Sequence, residues 1–163
     1  MKSQDHINKS FDEELDRLYD EIKRMGDLAI GQLNAAVDVL NRRDSNAAAR
    51  VVANDEAIDA IESEISMDVL KLLALRQPMA RDLREVYATL RISADIERIG
   101  DYASNVAKRS MVLNNNPPLE ATARITRLAK TANQLLSDAL QAYADSDADV
   151  AKKVRDADAQ LDA

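Results

Sequence analysis

Acidic side chains spaced four residues apart are the feature of this sequence most able to do chemistry. Glu97 and Asp101 form one such pair, and Asp55 and Asp59 form another. Residues four apart lie on the same face of a helix, so each pair would present two carboxylates side by side. Carboxylates held together between helices need a compensating cation, and their oxygens suit hard cations. The four acids are therefore candidate metal ligands.

The same spacing also fits an ordinary solvated surface. The chain has 29 acidic residues among 163, so some pairs arise by chance. Three observations favour a metal role: the two pairs fall on successive helices, a third pair recurs at Asp158 and Asp162, and Glu97 and Asp101 continue an apolar series. That series is Leu83, Tyr87, Leu90 and Ala94, opposite a second stripe of Ile92, Ile96, Ile99, Ala103 and Val106. The residues alone leave both interpretations open.

Four helices are expected to position these acids. Apolar residues advance in steps of three or four, which predicts helices at 9–43, 46–76, 78–113 and 119–144. Asp44 and Ser45 are expected to end the first helix and cap the second, and Pro78 to open the third. Gly26 and Gly31 lie inside the first helix, where they are expected to mark the close approach of a neighbouring helix.

The chain also repeats itself. A shift of 103 positions aligns Asp44 with Asp147, Val51 with Val154 and Asp55 with Asp158. This predicts a first three-helix unit over residues 1–113, a linker at 114–118 and a second, incomplete unit over 119–163. The first helix of that second unit has an apolar stripe, which we expect to be buried against the first bundle or another copy, at Ile125, Leu128, Leu135 and Tyr143.

Composition limits the class of protein. Aromatic residues make up 3% of the chain and there is no Trp or Cys, which is typical of a helical bundle without disulfides or thiolate metal ligands. No apolar run is long enough to span a bilayer, and no signal-peptide pattern is present, so we expect a cytoplasmic protein. A net charge of −7 argues against nucleic acid as a partner.

Three stretches closely resemble the PhoU family. The first is Asp-Ile-Glu-Arg-Ile-Gly-Asp-Tyr-Ala-Ser-Asn-Val-Ala at 95–107, which resembles the family signature, and the others are residues 54–59 and 72–84, in the family's order and spacing. The resemblance implies an all-α protein built as a tandem repeat of antiparallel three-helix bundles, the second repeat incomplete in this chain.

The resemblance also implies a function. PhoU proteins are accessory regulators of bacterial phosphate uptake and signalling. A family member is expected to be a non-enzymatic negative regulator of the phosphate regulon that couples the ATPase of the phosphate ABC transporter to a sensor histidine kinase. The expected form is a homo-oligomer, such as a homodimer.

PhoU proteins carry Asp/Glu-x-x-x-Asp motifs that bind multinuclear metal clusters. By this resemblance, the metal ligands would be Asp55, Asp59, Glu97 and Asp101, with Glu62 and Asn105 as less certain additions. The identity of the metal stays open among iron, zinc, magnesium and manganese. Two alternatives remain: a phosphohydrolase with a carboxylate-bridged metal pair, and a ligand-free helical oligomerisation module.

Other chemistry has less support in the sequence. The only histidine, His6, lies in the N-terminal segment, where a solvated role is expected. Five arginines cluster around the third predicted helix, where they either contact an acidic partner or an oxyanion, or act as counter-charges in salt bridges. They are Arg76, Arg81, Arg84, Arg91 and Arg98.

Overall fold

Six α-helices form the part of the chain that the computed structural model describes, residues 2–79 and 81–157. No strand occurs among these residues, so the all-α prediction is confirmed. No helix in the described ranges combines the length and the apolar character needed to cross a membrane. The helices are α1 (Lys2–Arg42), α2 (Ser45–Asn54), α3 (Glu56–Arg76), α4 (Arg81–Leu113), α5 (Thr122–Ala144) and α6 (Ala148–Ala157).

The core lies between α1, α3 and α4. Ile22 and Met25 of α1 are fully buried against Ile58 and Ile65 of α3 and Val86 of α4. Each large apolar side chain removed from water in this way contributes about 1.5–3 kcal/mol. A second cluster joins α1, α2 and α4 through mostly small side chains, which let the helix backbones approach closely: Ala36, Val39, Ala48, Val51, Ala103 and Ala107.

The predicted second helix is interrupted at Asp55, between α2 and α3. The Asp55 backbone N–H donates to the Val52 carbonyl oxygen, three residues back, at 3.4 Å. Asp55 keeps helical dihedral angles, φ −58° and ψ −37°. The helical path therefore becomes tighter for a single turn and then continues into α3. The Asp55 side chain forms no capping hydrogen bond with the backbone of α3.

The predicted start of the next helix at Pro78 was wrong. α3 ends with Gln77 in the left-handed conformation, φ 48°, and Pro78 and Met79 follow outside any helix before α4 begins at Arg81. A left-handed residue reverses the chain after a helix, and proline commonly follows such a cap. The last predicted helix likewise begins at Thr122 in α5, three residues later than expected.

The turn after α1 matches its prediction and occurs twice. Arg43 has φ 56°, and the Asp44 carboxylate accepts a hydrogen bond from the Ala47 N–H at 2.9 Å, capping α2. At the positions 103 residues later, Ser146 has φ 52° and the Asp147 carboxylate caps α6 by accepting from the backbone N–H groups of two residues. The same turn therefore recurs at the 103-residue offset, whereas Asp158 and Asp162 lie outside the described residues.

α5 packs antiparallel against α1. The rings of Tyr19 and Tyr143 lie 5.0 Å apart, and a Cβ at Gly26 would overlap Leu140. The expected close approach at Gly26 is thus confirmed. The same expectation of a close approach was wrong at Gly31, because a Cβ there would meet open space.

The burial expected of the α5 stripe is found in part. Tyr143 packs against the core together with Leu136 and Leu140, and Ile125 and Leu135 are half-buried. Leu128 keeps 39% of its surface exposed, so it is not buried against the first bundle, and its burial against another copy stays a prediction. On α5, Leu140 lies against Gly26 of α1 and Leu136 packs against the core.

Candidate metal centre

Gly100 allows α4 to approach the junction of α2 and α3. A Cβ at this position would lie 2.9 Å from Ile58 Cδ1 and 3.3 Å from Asp55 Oδ1, so any larger residue would push the helices apart. Glu97 lies about one turn before Gly100, and Asp101 follows it directly. The glycine therefore sets the distance between the two predicted acidic pairs.

The four predicted acids differ in their surroundings. Asp55 is half-buried and accepts a hydrogen bond at 2.6 Å from Gln32 Nε2 of α1. Glu97 is half-buried, whereas Asp59 and Asp101 are exposed. Gln32, itself buried, was not found from the sequence, because a lone glutamine carries no recognisable spacing signal.

The acids share one electrostatic environment. Burial raises the pKa of Asp59, and the charges of Asp55 and Asp101 raise it further. Burial likewise raises the pKa of Glu97, followed by the charges of Asp101 and Asp59. Among the ion pairs of the described residues, none includes any of these four acids. The structure thus brings the two pairs together as an uncompensated acidic cluster.

Glu62 and Asn105, the two less certain ligands, are related to the four acids in different ways. Glu62 contributes to the raised pKa values of both Asp59 and Glu97, and it accepts a hydrogen bond from Ser66 Oγ at 3.0 Å. Asn105 is exposed one helical turn beyond Asp101. Glu62 therefore belongs to the acidic cluster electrostatically, and Asn105 adjoins it.

The donor chemistry fits a hard cation, since all four side chains offer carboxylate oxygens. The carboxylate groups, however, do not converge on one point. Within the described ranges, no group of three or more acidic or histidine side chains is placed so that it could hold a metal ion. Repulsion between like charges favours such a spread. Binding would require the carboxylates to rotate towards a common point.

The expectation that these acids displace core residues was wrong. Leu83 and Tyr87, which precede them in the series, are 45% and 63% exposed, and Ala94 is exposed as well. The buried face of α4 instead includes small polar residues, among them Ser93, Ser104 and Ser110. The acids therefore continue a mostly exposed face beside the α2–α3 junction.

A groove of about 660 Å³ lies on the other side of α4, between it, α5 and α6. Thr89 and Tyr143 share a hydrogen bond of 2.9 Å beside it, and burial raises the pKa of Tyr143 to about 12. The lining is mostly apolar and includes Ile92, Ile99, Leu136, Ala139 and Leu140.

Comparison with known proteins identifies relatives over nearly the whole chain. The phosphate-specific transport system accessory protein PhoU homolog of Xylella fastidiosa strain 9a5c is 59% identical over 97% of this chain and 66% of that protein. The protein of the same description from Caulobacter vibrioides strain NA1000 is 42% identical, over 97% and 69% respectively. This chain therefore spans about two thirds of the length of these relatives.

The fold and a family model agree with these relatives. The crystal structure of PhoU from Pseudomonas aeruginosa superposes with a TM-score of 0.88 at 33% identity, covering 93% of this chain and 73% of that one. The model of the PhoU domain matches residues 22–110, which include all four predicted ligands. The chain belongs to the PhoU family.

Proposed function

We propose that this chain is a cytoplasmic accessory regulator of phosphate transport and does not catalyse a reaction. The observation that carries the proposal is 59% identity, over 97% of the chain, to a phosphate-specific transport system accessory protein. In this role it represses the phosphate regulon by coupling the ATPase of the phosphate ABC transporter to a sensor histidine kinase. The long exposed faces of its helices offer surfaces for such partners.

Gene deletion tests this function. In phosphate-rich medium, a strain lacking every PhoU gene should express its phosphate-responsive genes, and the full-length gene returned on a plasmid should repress them. A matched strain deleted for an unrelated helical protein provides the control. Normal repression in the deletion strain would contradict the proposal.

We further propose that Asp55, Asp59, Glu97 and Asp101 bind a metal ion. Support comes from the raised pKa values of Asp59 and Glu97 and from the all-oxygen donor set. In addition, none of the four acids belongs to an ion pair of the described residues. Magnesium, manganese, iron and zinc remain the candidates. The open arrangement of the acids favours the ligand-free helical module as the second candidate.

Metal content separates these two candidates. After loading and dialysis, elemental analysis should find metal on the wild type and much less on Glu97→Gln/Asp101→Asn. The matched control is Asp16→Asn/Asp20→Asn, an exposed acidic pair of the same spacing on α1. Equal metal on all three proteins, or none on any, would favour the ligand-free module.

The chain is also proposed to form a homodimer. The apolar groove between α4, α5 and α6 supports this, because apolar side chains in an open groove gain free energy when a second copy covers them.

A further inference from the structure

One exposed face of α4 is basic and aromatic, although the chain as a whole carries a net charge of −7. Its positions advance in steps of three or four, so they form one line along the helix. All eight side chains are exposed, and none is acidic. This α4 stripe consists of Arg84, Tyr87, Arg91, Ala94, Arg98, Tyr102, Asn105 and Arg109.

Three of the four arginines of the α4 stripe are not counter-charges. Within the described ranges, Arg84, Arg91 and Arg109 form no ion pair. Arg98 lies 3.9 Å from Asp95 and donates to the Tyr102 hydroxyl at 3.4 Å. By contrast, Arg76 outside the stripe pairs with Glu14 at 2.8 Å. The stripe therefore keeps most of its positive charge available to a ligand.

The residue types of the stripe suit a protein partner. Arginine and tyrosine are enriched among the residues that contribute most to protein–protein binding. Tyr87 and Tyr102 expose 63% and 61% of their surfaces, so two large rings stand in water along the same line as the guanidinium groups. The line is about 37 Å long at the ordinary rise of an α-helix.

The stripe is also narrow. Asp95 and Asp101 project about 60° to either side of it, if each residue turns by about 100°, and both are exposed. A wide anionic surface, such as a membrane or a nucleic-acid duplex, would bring its own charges against these flanking carboxylates. A slender ligand with its negative charges in a single row avoids that repulsion.

We propose that the α4 stripe docks an acidic amphipathic helix of a partner protein. Carboxylates repeating every seven residues on that helix lie opposite Arg84, Arg91 and Arg98, which repeat at the same interval. Apolar residues between them contact the two tyrosines. The surface goes beyond the proposed function, since its arginines and tyrosines take no part in the proposed metal site or in phosphate transport.

A designed peptide tests the surface directly. The probe is a fluorescein-labelled helical peptide of about six turns, with Glu at every seventh position, Leu beside each Glu and neutral residues elsewhere. Fluorescence anisotropy measures its affinity for the wild type, for Arg84→Glu/Arg91→Glu and for the control Arg24→Glu/Arg127→Glu, whose arginines are exposed on other helices. Circular dichroism checks that each variant is folded.

The stripe variant should bind the peptide at least about tenfold more weakly than the wild type, while the control stays close to the wild type. Added salt should weaken wild-type binding, and Tyr87→Ala/Tyr102→Ala should weaken it as well. Three outcomes would overturn the proposal: no binding by the wild type, an equal loss in stripe and control variants, or no loss with the tyrosine variant. Tighter wild-type binding to a DNA duplex or to phosphatidylserine vesicles than to the peptide would also overturn it.

Discussion

Asp59 and Glu97 differ from Asp44 in how they link protonation to folding. Their pKa values are raised by burial and by neighbouring carboxylates, so the folded state holds their protons more tightly than the unfolded chain does. Their favourable contribution is present at low pH and is lost as pH rises through the folded-state pKa. The pKa of Asp44 is lowered by the hydrogen bond from the Ala47 N–H, so its contribution is lost as pH falls.

This difference predicts the effect of neutralising the cluster. In the presence of a chelator at pH 7, Asp59→Asn/Glu97→Gln should raise the free energy of unfolding, because fewer like charges face one another. The gain should be at most about 1 kcal/mol, since solvent screens largely exposed groups. It should shrink as pH falls and the wild-type acids take up protons. Thermal unfolding followed by circular dichroism at several pH values measures both effects.

The control for this prediction is Asp16→Asn/Asp20→Asn on α1, where both acids are exposed. That variant should change stability less at pH 7. A cluster variant no more stable than this control, or a gain that persists unchanged at acidic pH, would show that the carboxylates of α3 and α4 do not repel one another appreciably.

At the scale of the helix, Gly26 and Gly31 offer a matched comparison within α1. Gly31→Ala should stabilise the protein by up to about 1 kcal/mol, because alanine favours helix and its Cβ meets open space. Gly26→Ala should lose that gain or become destabilising, since its Cβ overlaps Leu140 of α5. Chemical denaturation of both variants measures the difference.

A rescue experiment identifies the contact. Leu140→Ala removes the atoms that a Cβ at position 26 would overlap, so Gly26→Ala should cost less in that background than in the wild type. Equal effects of Gly26→Ala in the two backgrounds would mean that α5 does not pack on α1 at this point.

The periodicity of apolar residues was sufficient to predict four helical segments in their order, because steps of three and four specify helix faces directly, but it did not predict the break between α2 and α3. It placed one stripe of α4 correctly, since Ile96 and Ala103 are buried, but it missed Ser93, Ser104 and Ser110, which are buried as well. A small polar residue is compatible with either environment. Tyr87 was predicted to continue an apolar stripe but is exposed. Its residue type did not decide between the two environments, because aromatic rings are typical of docking surfaces as well as of cores.

The candidate site was predictable only in part. The spacing placed each acidic pair on one helix face, and the structure brings the pairs together. The tightened turn at Asp55 and the hydrogen bond from Gln32 depend on packing between α1, α2 and α3, which no local pattern encodes. The resemblance to the PhoU family supplied the ligand assignment, which remains a prediction.

At the scale of the molecule, the 103-residue repeat explains the shape of the groove. Ala139, Ala142 and Ala151 line it. Their counterparts one repeat earlier are Ala36, Val39 and Ala48, which pack against α4 through Ala103 and Ala107. The groove therefore corresponds to a surface that already accepts a helix in the first unit, and we expect it to accept one from a second copy.

Ala139→Arg tests this expectation by placing a long charged side chain in the groove without removing a core contact. The wild type should shift from monomer to dimer as its concentration rises, and Ala139→Arg should stay monomeric over the same range. Ala123→Arg, at an exposed position of α5 outside the groove lining, is the control and should dimerise normally. Light scattering coupled to size-exclusion chromatography measures the mass of each protein. A wild type that is monomeric throughout would contradict the proposed dimer. An Ala139→Arg variant that dimerises as well as the control would place the interface outside the groove, because burying an unpaired guanidinium in the groove costs too much free energy.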